Sequence, residues 1–258
     1  MGLSVPSRLY AVAVLAGVLA AATDALAASA SPDAQSRFRQ GNELCRSGDY
    51  PKALATYREL AEAGVEGPSL YWNWAQAASA RGLPGEAMWA LLRARELDPG
   101  DLAVAREVER VREAVNLDRA EIAPEPLAAA SRFSRHFRLD LVAVVLLGLS
   151  LLGHLLSRLR ATHWGQVTAG VAFALALLAA APPIAGSFAR PTAVVVKRGV
   201  PLLDQASSTA EAVGSLREGE VVPILDASGD YLRIEDSSGA RGWTMGADVR
   251  RLDRPPAH

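Results

Sequence analysis

Two stretches decide the fold: Gly41–Leu60, GNELCRSGDYPKALATYREL, and Ala75–Leu97, AQAASARGLPGEAMWALLRAREL. They carry one pattern twice, offset by 34 residues: Gly41 matches Ala75, Gly48 matches Gly82, Ala53 matches Ala87 and Tyr57 matches Leu91. A fixed period of this length marks a repeated pair of helices. The residue types agree with that geometry. Small residues at Gly41/Ala75 and Ala53/Ala87 let the two helices of a pair approach closely. Gly48 and Gly82 end the first helix of each pair, where a left-handed residue is needed. The larger Tyr57 and Leu91 fill the space between pairs. Pro99, in LDPG, stops the second pair.

The next stretch, DLAVAREVERVREAVNLD from Asp101 to Asp118, predicts another helix. Leu102, Ala105, Val108, Val111 and Val115 fall near one stripe. It is expected to cap the open face of the second pair. Together the pattern resembles the tetratricopeptide (TPR) family over residues 31–118. The first pair departs from it, because GVEGP at 64–68 stands where the terminal proline belongs. The resemblance implies an α-helical TPR solenoid with a groove lined by first helices. Carried over, the groove positions are Phe38, Asn42, Cys45 and Arg46, then Trp72, Gln76 and Ser79. Asn42 and Gln76 would hydrogen-bond a peptide backbone, and Arg46 would pair a carboxylate. The same residues would equally serve to cover the capping helix or a neighbouring apolar segment. Cys45 is the only cysteine in the chain, so it makes no internal disulfide. With no neighbouring His or Lys it reads as a small hydrophobe rather than a reactive thiol.

Three apolar stretches frame this segment. Arg8, the uncharged run Leu9–Ala22 and the small residues at 25–30 have the order of a secretory signal peptide. Residues 1–30 are therefore expected to direct export, cleaved or retained as an anchor. Residues 139–157 and 164–189 are each long enough to cross about 30 Å of hydrocarbon as a helix. Only six residues separate them, which predicts a transmembrane helical hairpin. Two crossings return the chain to the side it left, so the segments before and after the hairpin share one face. The signal peptide puts that face outside, in the periplasm. The flanking arginines 132, 135, 138 and 190 lean the other way against Arg158 and Arg160 in the turn. His154 lies one turn from a span end, where it reaches the interface. Residues 119–138, with Pro124 and Pro126 and then Arg132, Phe133 and Phe137, read as a linker and juxtamembrane belt.

From residue 190 the hydropathy period changes from 3.6 to 2. Five short strands are expected: 193–196, 200–203, 221–225, 231–234 and 242–245. Turn residues separate them at 218–219, 228–230 and 236–239. Strands this short and this close predict a small all-β barrel over residues 190–253. The wording, SLREGEVVPILDASGDYLRIEDSSGARGWTMGADVRRL, resembles bacterial SH3 domains. Thr244 stands where that family has valine after Gly-Trp, and Tyr231 where it usually has tryptophan. Tyr231 and Trp243 are expected either to line an aromatic groove for a peptide or cell-wall stem, or to fill the barrel core and corner.

The formal net charge is −1, and no basic stripe points to nucleic acid. No phosphate loop, H-E-x-x-H, C-x-x-C or G-x-S-x-G is present. Of four histidines, His136, His154 and His163 lie in or beside the apolar stretches and His258 is the last residue, so no Ser–His or Cys–His pair arises. Carboxylates such as Glu107 and Glu109 alternate with arginine, as on a solvated helix face. No cofactor or metal is expected, and no enzymatic role. The order signal peptide, TPR, hairpin, SH3-like domain resembles the TPR/SH3 proteins of the Bat aerotolerance operons. That resemblance implies a multi-pass protein of the inner membrane, scaffolding proteins with von Willebrand factor A domains and a MoxR-type ATPase. A peptidoglycan-binding cell-wall sensor is the alternative.

Overall fold

The computed structural model describes residues 32–122, 130, 133–134, 137–160 and 163–254. The expected signal peptide and the prolines of the linker lie outside them. Among the described residues the chain is mixed α/β, with eight α-helices and one seven-stranded antiparallel sheet.

Five helices come first: α1 (Pro32–Arg46), α2 (Tyr50–Glu62), α3 (Pro68–Ala80), α4 (Pro84–Leu97) and α5 (Leu102–Ala114). Their boundaries follow from local chemistry. Gly48 and Gly82 take φ of +83° and +67° and close α1 and α3. After each, the next residue's amide folds back on the helix: Asp49 N donates to the Leu44 carbonyl and Leu83 N to that of Ala78. Pro51, Pro68 and Pro84 then open the following helices, where the lost amide costs nothing. Asp101 caps α5 by accepting from Ala103 N at 2.7 Å and Val104 N at 3.3 Å.

The paired positions of the two repeated words are buried together. Ala53, Tyr57, Ala75, Ala87 and Leu91 expose nothing, and Gly41 faces the Tyr57 ring. On α5 the stripe is rotated from the expected one. Leu102 is 74% exposed, while Val104, Glu107, Val108 and Val111 are buried. Glu107 was expected on a solvated face; instead it lies inward with Arg110 paired to it. A four-residue helix, α6 (Arg119–Ile122), then extends the helical segment past Asp118 and buries Glu121 and Ile122.

Two long helices follow, α7 (Leu139–Arg160) and α8 (His163–Ser187). They pack on each other, with Ser150 Oγ donating to the Ala169 carbonyl at 2.8 Å beside Gly153. Residues Gln166–Ser187 are long and apolar enough to cross a membrane; the apolar part of α7, Leu139–Leu155, is shorter. Their outer surfaces are aliphatic and open, with Leu151 and Leu178 more than 70% exposed. Such a patch on a chain in water would be a liability.

The sheet has seven strands where five were expected: β1 (Thr192–Val195), β2 (Val200–Leu203), β3 (Ala212–Leu216), β4 (Val221–Ser228), β5 (Tyr231–Glu235), β6 (Arg241–Met245) and β7 (Val249–Arg251). Their order is β3-β2-β6-β5-β4-β1-β7. The two unforeseen strands are the edges. Ala-Val-Gly-Ser-Leu in β3 lacks alternation, and β7 is only three residues long, so neither carries a period-2 signal. Ala193, Val195, Val200, Leu202, Leu216, Val222, Ile224, Ile234 and Val249 form the sheet's own core.

Thr244 is also fully buried, and its hydroxyl has no hydrogen-bond partner. An unpaired buried hydroxyl costs about 1–3 kcal/mol. Thr244→Val keeps the shape and removes the penalty. It is expected to raise stability by about 1 kcal/mol, read as a higher Tm of the detergent-solubilised chain. An unchanged or lower Tm would show that the hydroxyl finds a partner.

Candidate interaction surfaces

The helical and β segments are not separate bodies on a tether. Met88, Trp89, Val104, Leu117 and Ile122 share one hydrophobic core with Val194, Val221 and Leu252. Strand β1 explains how. Ala193 and Val195 point into the sheet, and Val194 between them points at the helices, so β1 is buried on both faces.

Helix α4 carries most of this junction. The Trp89 indole N–H donates to the Arg251 carbonyl at 2.8 Å, and Arg93 donates to the Leu252 carbonyl at 2.6 Å. These bonds meet the carbonyls at the β7 end of the sheet. Glu218, in the β3–β4 turn, accepts from Gly85 N at 3.2 Å. Arg217 reaches Glu121 of α6 at 3.1 Å and the carbonyls that follow α5.

At the centre sits an ion pair between buried Glu86 and half-buried Arg250 that the sequence did not announce. Arg250 of β7 donates to Glu86 Oε1 at 3.0 Å, and Trp74 Nε1 donates to the same oxygen at 3.0 Å. Arg58 approaches it at 3.3 Å. The Arg250 guanidinium also lies 4.7 Å from the Trp89 ring centre and 5.6 Å from that of Trp74. Trp74, Tyr71 and Trp89 contact one another edge-on or stacked. The charges are held by mutual neutralisation and by ring faces.

Burial pushes the Glu86 carboxyl up, but the Arg250 charge and the bonds from Arg250 and Trp74 outweigh it. The net shift is downward from the ordinary 4.5. A carboxyl lowered on folding contributes stability that is complete above its unfolded pKa and is lost as pH falls through the folded one. The junction is therefore expected to hold at neutral pH and loosen on acidification below about 4.5. Trp74 and Trp89 emission followed through an acid titration checks this. In Glu86→Gln the same titration should lose that component of the transition. An identical acid midpoint in both proteins would remove Glu86 from the junction's pH response.

The residues expected to line the α1/α3 face are placed as follows. Asn42 does not stand free: its side-chain oxygen accepts from Tyr57 OH at 2.9 Å and Asn73 Nδ2 at 2.8 Å. Burial holds the Tyr57 phenol well above its ordinary 10, so it stays a donor. Asn42 thus fixes α1 against α2 and α3, leaving only its amide N–H groups for a ligand. Arg46 is exposed and pairs with Glu43. Phe38 is half-buried against the Tyr57 ring at 6.3 Å. Cys45 and Trp72 are half-buried against the core. Gln76 is half-buried with no hydrogen bond to its side chain among the described residues, and Ser79 is exposed.

Tyr231 and Trp243 do not fill the sheet's core. Arg233 pairs with Trp243 and Tyr231 with Met245 across β5 and β6, while Ile234 and Thr244 point inward. Tyr231 and Trp243 therefore stand half-buried on the outer face, alongside Arg233. They make no ring contact with each other among the described residues.

The junction's residues were legible only in part. Gly85, in the first turn of a helix where alanine or glutamate is preferred, is the one sequence signal of close approach there. A carbon added at Gly85 would lie 2.6 Å from the Val195 carbonyl oxygen. Among the described residues no group of three or more His, Cys, Asp or Glu is placed to hold a metal ion. Comparison of the chain with protein-family models, with curated proteins and with solved structures returns no match.

Proposed function

We propose that this chain is a membrane-anchored adaptor of the bacterial envelope, without catalytic activity of its own. In this reading α1–α4 are two TPR-type repeats capped by α5, the sheet is an SH3-like barrel, and α7 and α8 form a two-span hairpin. The observation that carries it is the shared core between the helical and β segments. Domains so docked lie on one side of any membrane. A single crossing by α8 would place them on opposite sides, so a crossing by α8 requires one by α7 as well. The 22 residues of α7 are long enough, at about 1.5 Å per residue, for the hydrocarbon layer.

The 34-residue period supports the repeat reading: three of its matched pairs, Gly41/Ala75, Ala53/Ala87 and Tyr57/Leu91, are buried, and the fourth, Gly48/Gly82, closes α1 and α3. The β sheet then covers α4 where a further helix of the array would stack. This relieves the shortage of stacked neighbours that two repeats alone would face. The α1/α3 face, with Trp72, Gln76 and Ser79, is left for a partner. The Bat-type resemblance proposes which partners: envelope proteins with von Willebrand factor A domains and a MoxR-type ATPase system. Export by the N-terminal segment would place the body in the periplasm.

The test is co-purification of a von Willebrand factor A-domain protein from detergent-solubilised membranes. Gln76→Lys and Ser79→Arg are on the α1/α3 face and spare the core. Loss of that partner in both variants is expected; full retention would remove the groove from the reading. The cell-wall alternative is favoured by the outward position of Tyr231 and Trp243. It predicts that the full chain in detergent sediments with purified peptidoglycan and that Trp243→Ala abolishes this.

A further inference from the structure

The end of the β sheet nearest α8 has a composition and a position that the adaptor reading does not use. The chain leaves α8 at Ser187 and begins β1 at Thr192. Five residue steps span at most about 18 Å. A helical turn continues through the first of them, with Phe188 N bonded to the Ala185 carbonyl and Ala189 N to that of Gly186. The sheet therefore starts close above the end of the helix.

Strand register says which part of the sheet is closest. β4 runs antiparallel to β1, with Thr192 opposite Pro223, and Ile224 N donates to the Pro191 carbonyl at 2.8 Å. The residues after Ile224 run back beside the connector, and Arg190, Pro191, Leu225, Asp226 and Ala227 line a crevice there. The chain then turns at Gly229–Asp230. Ser228 lies opposite Tyr231, Tyr231 opposite Met245, and Gly246 N donates to the Asp230 carbonyl at 2.7 Å. The hairpin tip and the end of β6 thus lie on the α8 side of the sheet.

The side chains there suit an interface. Met245 is 45% exposed and Phe188 74%. Phe133 and Phe137 precede α7, with ring centres 4.7 Å apart, and both are more than half exposed. Tyrosine, as at position 231, concentrates at the headgroup level of membranes, and exposed phenylalanines pack at the boundary with the acyl chains. The tip itself is small and open, Ala227-Ser228-Gly229. Its two carboxylates, Asp226 and Asp230, are accompanied by Arg190 and Arg233, the latter opposite Asp226. That balance matches a zwitterionic headgroup better than an anionic one.

We propose that the β4–β5 tip, with Tyr231 and Met245, rests in the headgroup layer of the membrane that α8 enters. This rests on the membrane reading above. It gives the β segment a further contact besides the helices and the connector. Because α4 is locked to the sheet, it also fixes the height and tilt of the α1/α3 face over the lipid.

The experiment uses the full chain, Cys45→Ser, in phosphatidylcholine nanodiscs. Single cysteines replace Met245, Ser228 or Ser238 and carry a small fluorophore; Ser238 lies in the turn at the far end of β5, about 17 Å away along the strand. With nitroxide on the lipid headgroup, probes at 245 and 228 are expected to be quenched at least twofold more than at 238. A fourth probe at Leu178, with nitroxide deep in the acyl chain, reports α8 itself. Equal quenching at 245, 228 and 238 beside a quenched Leu178 overturns this proposal alone. An unquenched Leu178 removes the membrane reading and this proposal with it.

Discussion

Glu86→Ala is expected to cost about 3 kcal/mol, because it leaves half-buried Arg250 against two indoles without its counter-charge. The side chains of Arg250 and Glu86 are only 20% and 11% exposed, so solvent screens the pair little. Trp74 Nε1 also loses its acceptor. The effect should fall on the junction between helices and sheet, since Glu86 belongs to α4 and Arg250 to β7. A double-mutant cycle separates the pair from the packing. Arg250→Met retains the aliphatic stem over Trp89 and removes the charge. In Glu86→Ala the arginine is already unpaired, so adding Arg250→Met should recover part of the loss. Additive losses in chemical denaturation would mean that the two residues do not act together.

Gly85→Val is expected to have a comparable effect by a different route. The added carbon would lie 2.6 Å from the Val195 carbonyl oxygen and 2.9 Å from Val196 Cα. Both are backbone atoms of the chain at β1, and no rotamer change moves them. Overpacking costs about 1–3 kcal/mol where side chains give way, and more where backbone must shift. The helical segment keeps its own contacts, so the loss should be local. Amides of β1 and β7 should exchange hydrogen faster by tenfold or more, while those of α2 and α3 stay protected. Uniform acceleration throughout the chain would mean that the junction does not open as a unit. Unchanged exchange would mean that α4 and β1 do not meet at Gly85.

How far the sequence led can be judged residue by residue. The helices of the two repeated words were legible because small residues recur where helices pack closely; Ala53, Ala75 and Ala87 are buried there. The β segment was legible in its five alternating strands. Strands β3 and β7 were not, because each is held by its neighbours rather than by its own pattern. The stripe on α5 was misplaced by counting Leu102 and Ala105, which face outward, and by excluding Glu107, which does not. A charged residue counts as solvated in any hydropathy pattern, and only its partner shows otherwise.

The same limit hid the junction. Glu86 and Arg250 are separated by 164 positions, and nothing local marks either as buried. The sequence leaves Asn42 open between a ligand and an internal role for the converse reason: its partners, Tyr57 and Asn73, come from two other helices. Tyr231 and Trp243 were ambiguous between core and surface because a half-buried outer face has the same aromatic content as an inner one. Only the burial of Ile234 and Thr244, on the face opposite Tyr231 and Trp243, resolves it.

One measurement tests the central claim, that the helices and the sheet form one docked body on one side of the membrane. In a Cys45→Ser background, a single cysteine replaces Ala55 on the exposed side of α2 or Ser238 in the β5–β6 turn. Intact cells and inside-out vesicles are treated with a membrane-impermeant thiol reagent. Both sites are predicted to be labelled from the same side and protected from the other. Labelling of Ala55→Cys from one side and Ser238→Cys from the opposite side would contradict the docked body outright, because no shared core spans a membrane.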